Sequence, residues 1–250
     1  MGCLYLLQRR ILFVPGTAKP DLQGSGVPEM EEHILQTADG LKLLSWYMPA
    51  KDNKFTIMYF QGNAGTIGSR GFKARHFLNG GYGLLMVGYR GYGGNPGNPS
   101  EDGLILDGKA GLSFLKEVGV NIDDIVLYGE SLGSGVAVAL AAGPAKKAAA
   151  LILESPYSSI QDIAASRYWF APTRLLLKDK FDSIARIRKV QSAVLILHGE
   201  GDGIIPVEHG ARLFQQANEP KHLHLFSHGG HSDLYDHGAN EVILKFLDGL

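Results

Sequence analysis

Ile125-Val126-Leu127-Tyr128-Gly129-Glu130-Ser131-Leu132-Gly133-Ser134-Gly135 decides how the rest of the chain is read. Its first four residues are an apolar, β-prone run, and its end opens a stretch of small side chains that includes Ala137, Ala139 and Ala141. Between them lies Gly-x-Ser-x-Gly. With 33 glycines in 250 residues the pattern by itself is weak, because it arises easily by chance. A strand directly before it and a helix directly after it make it specific. That sequence of elements is the sharp turn that holds a serine in a strained backbone conformation at the head of a helix. The first N–H groups of the helix then stand beside any negative charge developing on an attacked carbonyl.

The same alternation continues on both sides of this stretch. Thr37-Ala38-Asp39-Gly40 separates two alternating runs, His33–Gln36 and Leu41–Tyr47, and Asp-Gly at that place signals a hairpin. Strands are expected over Phe55–Phe60, Tyr82–Tyr89, Ile125–Tyr128, Leu151–Leu153, Val194–Leu197 and Leu223–Phe226. Helices are expected over Arg70–Leu78, Asp102–Val118, Leu132–Ala142, Ile160–Tyr168, Val207–Ala217 and Ser232–Leu247. Strands alternating with helices imply an α/β fold with a mostly parallel sheet, helices on both faces and the antiparallel hairpin at one edge. Ligands bind at the C-terminal ends of such strands, and the glycine excess falls there, at Gly62 and Gly65, Gly91 and Gly93, Gly129 and Gly133, Gly199, and Gly229-Gly230.

Composition narrows the function. Lys+Arg 24 against Asp+Glu 25 leaves a net charge of -1, which excludes a basic scaffold for nucleic acid. The stretches free of charge are too short for a spanning helix, which needs roughly 18–20 residues. The single Cys3 excludes an internal disulfide framework and a cysteine-rich metal site.

A serine hydroxyl is a poor nucleophile at neutral pH and needs a histidine base oriented by a carboxylate. Two later strands are followed by suitable residues: Leu197-His198-Gly199-Glu200-Gly201-Asp202, and Ser227-His228-Gly229-Gly230-His231-Ser232-Asp233. Ser131, Asp202 and His231 are the predicted catalytic residues. His228 competes as the base, and Glu200 and Glu154 compete as the acid. His222 and His224 share one strand face, but no third ligand stands at a recognisable spacing, so no metal is expected. Acyl transfer also needs two backbone donors for the oxyanion. Leu132 N–H, next to the serine, and Asn63 N–H, in Gln61-Gly62-Asn63-Ala64-Gly65 after the first parallel strand, are the candidates.

Gln61–Gly65, Tyr89–Gly93, Gly129–Gly133, Glu154–Pro156, His198–Asp202 and Gly230–Asp233 together resemble the ordered motifs of the α/β-hydrolase superfamily. The pattern is similar to that of a small-capped branch of membrane-associated and bacterial serine hydrolases that includes protein depalmitoylases. The resemblance runs from about Gln8 to the C-terminus and departs at Gln61, where the branch carries histidine. It implies an α/β-hydrolase fold with a sheet of the eight-stranded type and a small cap. It also implies a cofactor-independent hydrolase that cleaves carboxylic ester or thioester bonds through an acyl-enzyme intermediate. Its partners would be a small-molecule or lipid acyl ester, or an acylated protein.

Residues 31–250 are read as one domain with a small cap insertion at about 156–190. Residues 1–30 are read as an N-terminal segment, either the remnant of a membrane-proximal anchor or a helix packed on the domain. The cap carries Trp169 and Phe170 among several basic residues, which suggests a groove for an acyl chain and peripheral contact with a membrane, or else an ordinary amphipathic cap helix. Arg90 is a further substrate-binding candidate or a structural tie between loops. The expected location is cytoplasmic or membrane-associated. Two rival functions stand beside the hydrolase. Gly62–Gly68 followed by Arg90 suggests an NADP-dependent oxidoreductase, although the glycine spacing is irregular and none of Tyr157, Tyr168 or Tyr235 has Lys four residues on. The other is a non-catalytic binding module on the same fold.

Overall fold

Eight strands join in one sheet in the order β1-β2-β4-β3-β5-β6-β7-β8 in a computed structural model that describes residues 8–51, 53–143, 148–167 and 176–250. The strands are β1 Glu31–Gln36, β2 Lys42–Met48, β3 Thr56–Phe60, β4 Gly83–Met86, β5 Ile125–Glu130, β6 Ala150–Glu154, β7 Ala193–Gly199 and β8 Lys221–Phe226. β1 with β2 and β2 with β4 are antiparallel, and every other pairing is parallel, so the expected hairpin stands at one edge. Its turn is closed by Thr37, whose hydroxyl donates to Asp39 and accepts from Leu41 N–H, while Gly40 takes φ 88°.

β3, β5, β6 and β7 are buried along their whole length, which is why they read as continuous apolar runs: helices cover both faces of the parallel part of the sheet. The two-residue period of a strand divides these side chains between two cores. Met58, Phe60, Leu127, Leu151 and Leu153 pack with the helices Glu101–Glu117 and Leu132–Ala141. Ile57, Tyr59, Val126, Tyr128 and Ile152 pack with Gly71–Asn79 and Ala239–Leu247 on the other side. The helix Glu101–Glu117 begins where Ser100 accepts Gly103 N–H, with Glu101 and Asp102 in the first turn complementing the helix dipole.

Two elements differ from the expectation by more than two residues at one end. The run Ser232–Leu247 is not one helix but a short turn of 3₁₀-helix, Leu234–His237, and a helix Ala239–Leu247, divided at Gly238 with φ 88°. β4 ends at Met86; Val87 N–H still donates to Tyr59 O, after which the chain leaves the sheet toward its C-terminal edge.

Residues 8–12 form a helical turn and a half packed on the domain. Gln8 donates to Leu176 O, and the Arg9 guanidinium pairs with Asp179 at 2.7 Å. No helix among the described residues is long and apolar enough to cross a membrane. Within residues 156–190, expected to form a cap, the helices Ile160–Arg167 and Ser183–Ile187 are described. Trp169 and Phe170, named above as substrate-binding candidates, lie outside the described residues, as do residues 1–7.

Candidate active site

β5 ends at Glu130, and the next residue, Ser131, has φ 48° and ψ -113° before the helix Leu132–Ala141 begins. A non-glycine residue in that region costs about 1–3 kcal/mol and persists only where its surroundings enforce it. Here Ser131 N–H donates to Glu154 O at 2.9 Å, and Ser131 O accepts both Ser134 N–H and the Ser134 hydroxyl. The glycines on either side are a steric requirement. A Cβ on Gly129 would lie 2.5 Å from Ser134 Cα, and one on Gly133 would collide with Phe60 O. At Gly129 the strand lies against the start of the helix, and at Gly133 the helix lies against the end of β3, so closely that no larger residue fits.

His231 Nε2 lies 3.0 Å from Ser131 Oγ, and its Nδ1 lies 2.8 Å from Asp202 Oδ2. The histidine comes from the loop after β8, where Asp233 accepts Gly230 N–H and closes the turn. Asp202 comes from the loop after β7. Its other oxygen accepts Ile204 N–H and Ile205 N–H, each at 2.8 Å, so the carboxylate is fixed by main chain on one side and faces imidazole on the other. Burial works to raise its pKa, but hydrogen bonds from His198, His231 and Ile205 N–H outweigh burial and hold the carboxyl below the usual carboxylate range. An ionised carboxylate at Nδ1 selects the imidazole tautomer with its lone pair on Nε2, toward the serine.

Asn63 and Leu132 both border the cavity above Ser131, and among the described residues neither backbone N–H donates to an acceptor within the chain. The Asn63 side chain is tied down instead: Nδ2 donates to Leu12 O, and Oδ1 accepts Val14 N–H and the Tyr92 hydroxyl. The cavity holds about 470 Å³. Asn63, Arg70, Glu130, Ser131 and His231 are among its polar lining residues, and Ile11, Leu12, Ile160, Ile163, Leu176, Leu177, Ile204 and Ile205 are among its apolar ones.

No family model matches the chain. It is 37% identical over 229 residues to an uncharacterized protein of Mycobacterium tuberculosis, covering 90% of this chain and 81% of the relative. It is 31% identical over 241 residues to the alpha/beta hydrolase domain-containing protein WAV2 of Arabidopsis thaliana, covering 87% of this chain and 78% of that one. The chain belongs to the α/β-hydrolase superfamily. Its fold superposes on that of the Pyrococcus furiosus esterase Pf2001 with a TM-score of 0.75 at 18% identity, over 94% of this chain and 98% of the other.

Several candidates from the sequence lie elsewhere in this α/β-hydrolase. Arg90 does not border the cavity. It is buried, its guanidinium pairs with Asp107 and Asp39, and it ties the loop after β4 to the helix Glu101–Glu117 and the β1–β2 turn, away from the cavity. Glu154 is fully buried and turned to Lys73 and the Tyr128 hydroxyl rather than to His231. Glu200, His222, His224 and His228 are exposed. Conversely, the N-terminal wall at Gln8, Ile11 and Leu12 escaped the sequence reading. An apolar run beside Arg9 and Arg10 carries no signal of what it will pack against.

Proposed function

We propose that this protein is a serine hydrolase of carboxylic esters or thioesters whose acyl group is apolar. The observation that carries the reading is the hydrogen-bonded chain Ser131–His231–Asp202 opening on an apolar cavity beside two unengaged N–H groups. Ser131 Oγ attacks the carbonyl carbon while its proton passes to His231 Nε2, and Asp202 stabilises the imidazolium. The carbonyl oxygen becomes an oxyanion that accepts hydrogen bonds from Asn63 and Leu132 N–H. Collapse breaks the bond to the leaving oxygen or sulfur, which takes the proton back from His231. Water, deprotonated by the same nitrogen, then attacks the acyl carbon, and the bond to Ser131 Oγ breaks as His231 returns the proton to that oxygen and the acid leaves.

The apolar walls favour a hydrocarbon acyl group, each buried methylene contributing about 0.8 kcal/mol. The oxidoreductase rival loses its phosphate ligand, since Arg90 is occupied by Asp107 and Asp39. Fluorophosphonate labelling of the purified protein tests the reading. Stoichiometric labelling that disappears in Ser131→Ala is the expected result, and an unlabelled wild type would point to the non-catalytic binding module. Turnover of p-nitrophenyl esters against acyl thioesters of equal chain length then separates the two leaving groups.

A further inference from the structure

Four charged side chains are packed together beneath the serine. Lys73 Nζ lies 2.9 Å from Glu130 Oε2 and 2.8 and 2.9 Å from the two oxygens of Glu154, with the lysine 3% and Glu154 0% exposed. Arg70 pairs with Glu130 at 2.8 Å and also donates to Ala64 O, in the loop that carries Asn63. The Tyr59 hydroxyl donates to Glu130 and the Tyr128 hydroxyl to Glu154. Burial works against the Lys73 ammonium, but Glu154 and Glu130 outweigh it and raise its pKa, so the lysine stays charged.

The two carboxylates are not arbitrary neighbours. Glu130 and Glu154 are register partners on the adjacent parallel strands β5 and β6, and each is the last residue of its strand. Each is followed by a serine with positive φ, 48° at Ser131 and 45° at Ser155. Ser131 faces His231 Nε2, while the Ser155 hydroxyl donates to the main-chain carbonyl of His231 at 3.2 Å. Two Glu-Ser pairs thus end side by side, one presenting the serine and the other holding the backbone of its histidine. A buried ion cluster is a poor source of stability, because desolvation cancels most of the attraction, and apolar residues of similar volume often do as well. What such a cluster supplies is a fixed geometry.

We propose that Lys73 and Ser155 are positioning residues: the ammonium shared by Glu130 and Glu154 locks the two strand ends together, and Ser155 passes that register to His231, setting the distance between Ser131 and its base. The inference rests on the hydrolase reading above. Neither residue lines the cavity, so their loss acts on the alignment of the reacting groups and not on the walls that bind the acyl chain.

The test compares wild type, the double variant Lys73→Met/Glu154→Gln, and Ser155→Ala. The double variant removes one positive and one negative charge and leaves Arg70 paired with Glu130, so no carboxylate is stranded in the core. Melting temperature, kcat and KM on a p-nitrophenyl ester, and the rate of fluorophosphonate labelling are measured for all three. A misplacement of about 1 Å can cost on the order of 100-fold in rate. The double variant is therefore expected to melt close to wild type, lose roughly 10- to 100-fold in kcat and labelling rate, and keep its KM. Ser155→Ala should show the same split with a smaller loss. A double variant with normal melting and wild-type kcat overturns the inference; if that variant does not fold, unchanged kcat and labelling in Ser155→Ala overturn it. An unlabelled wild type defeats the hydrolase reading and this inference with it, whereas a labelled wild type with unaltered variants defeats the inference alone.

Discussion

On the sheet side of the cavity, Ser131 is held by main-chain hydrogen bonds to Glu154 and Ser134, by glycines that admit no Cβ, and by the paired charges below. Elsewhere in its lining, Ile11 and Leu12 of the N-terminal turn border the same cavity as Ile160 and Ile163 of the helix Ile160–Arg167, about 150 residues further along the chain. Directional bonds and hard contacts build the first side, with little slack. Apolar area builds the second, whose contacts are numerous, individually weak and replaceable. Changes on the sheet side should therefore act as switches, and changes among the apolar lining residues as graded adjustments.

His231→Ala should have the largest effect. A serine and its base act as a unit, so the loss in kcat should approach the order of 10⁶ expected for removing the serine. Steady-state turnover with active-site titration checks this, and substantial remaining activity would move the base to another residue. Asp202→Asn should cost on the order of 10⁴ in kcat, because the amide no longer selects the tautomer that leaves Nε2 free to accept a proton. An equally damaging Glu200→Gln would contradict that assignment.

A substitution in the apolar lining should be far milder and should depend on the substrate. Ile163→Ala removes three carbons of apolar wall, and at up to about 0.8 kcal/mol for each it should lower kcat/KM for long-chain esters roughly 10- to 60-fold while acetate esters hardly change. A uniform loss across chain lengths would mean that this wall does not contact the acyl group. Such a result would blur the contrast between the two sides.

The smallest effect concerns stability. The Asp202 carboxyl has a folded pKa below its unfolded value of about 3.9, so its contribution is fully present above that value and is lost as pH falls toward the folded pKa. The difference in melting temperature between wild type and Asp202→Asn should be constant from pH 7 to about pH 5 and shrink progressively below about pH 4. A difference that persists undiminished at pH 3 would indicate that the aspartate contributes through packing rather than through its charge.

Much of the sheet side is legible in the amino-acid sequence. Gly129, Ser131 and Gly133 stand in a short local pattern between a strand and a helix, and local steric rules act on just such spans. Gly230-His231 and Asp202 each follow a strand, and a parallel sheet collects its strand ends at one edge, so chain order alone brings these residues to the same region. Arg90 marks the limit of such local rules. It too follows a strand, yet its direction depends on Asp39 and Asp107, from two other elements, and nothing local announces which way a long side chain will turn. The helix expected over Ser232–Leu247 failed at Gly238, where one residue with positive φ divides an otherwise continuous apolar pattern.

The sequence by itself determined the α/β alternation, the parallel sheet with its antiparallel edge, and the serine turn, because all three follow from short-range periodicity and from the steric demands of a few adjacent residues. Only the tertiary structure decided which residues wall the cavity, that Lys73 bridges Glu130 and Glu154, and that Ser155 reaches the carbonyl of His231. Those contacts join segments far apart in the chain. Their partners are chosen by three-dimensional packing and by the need to pair each buried charge, and neither condition leaves a trace in the spacing of residues along the sequence.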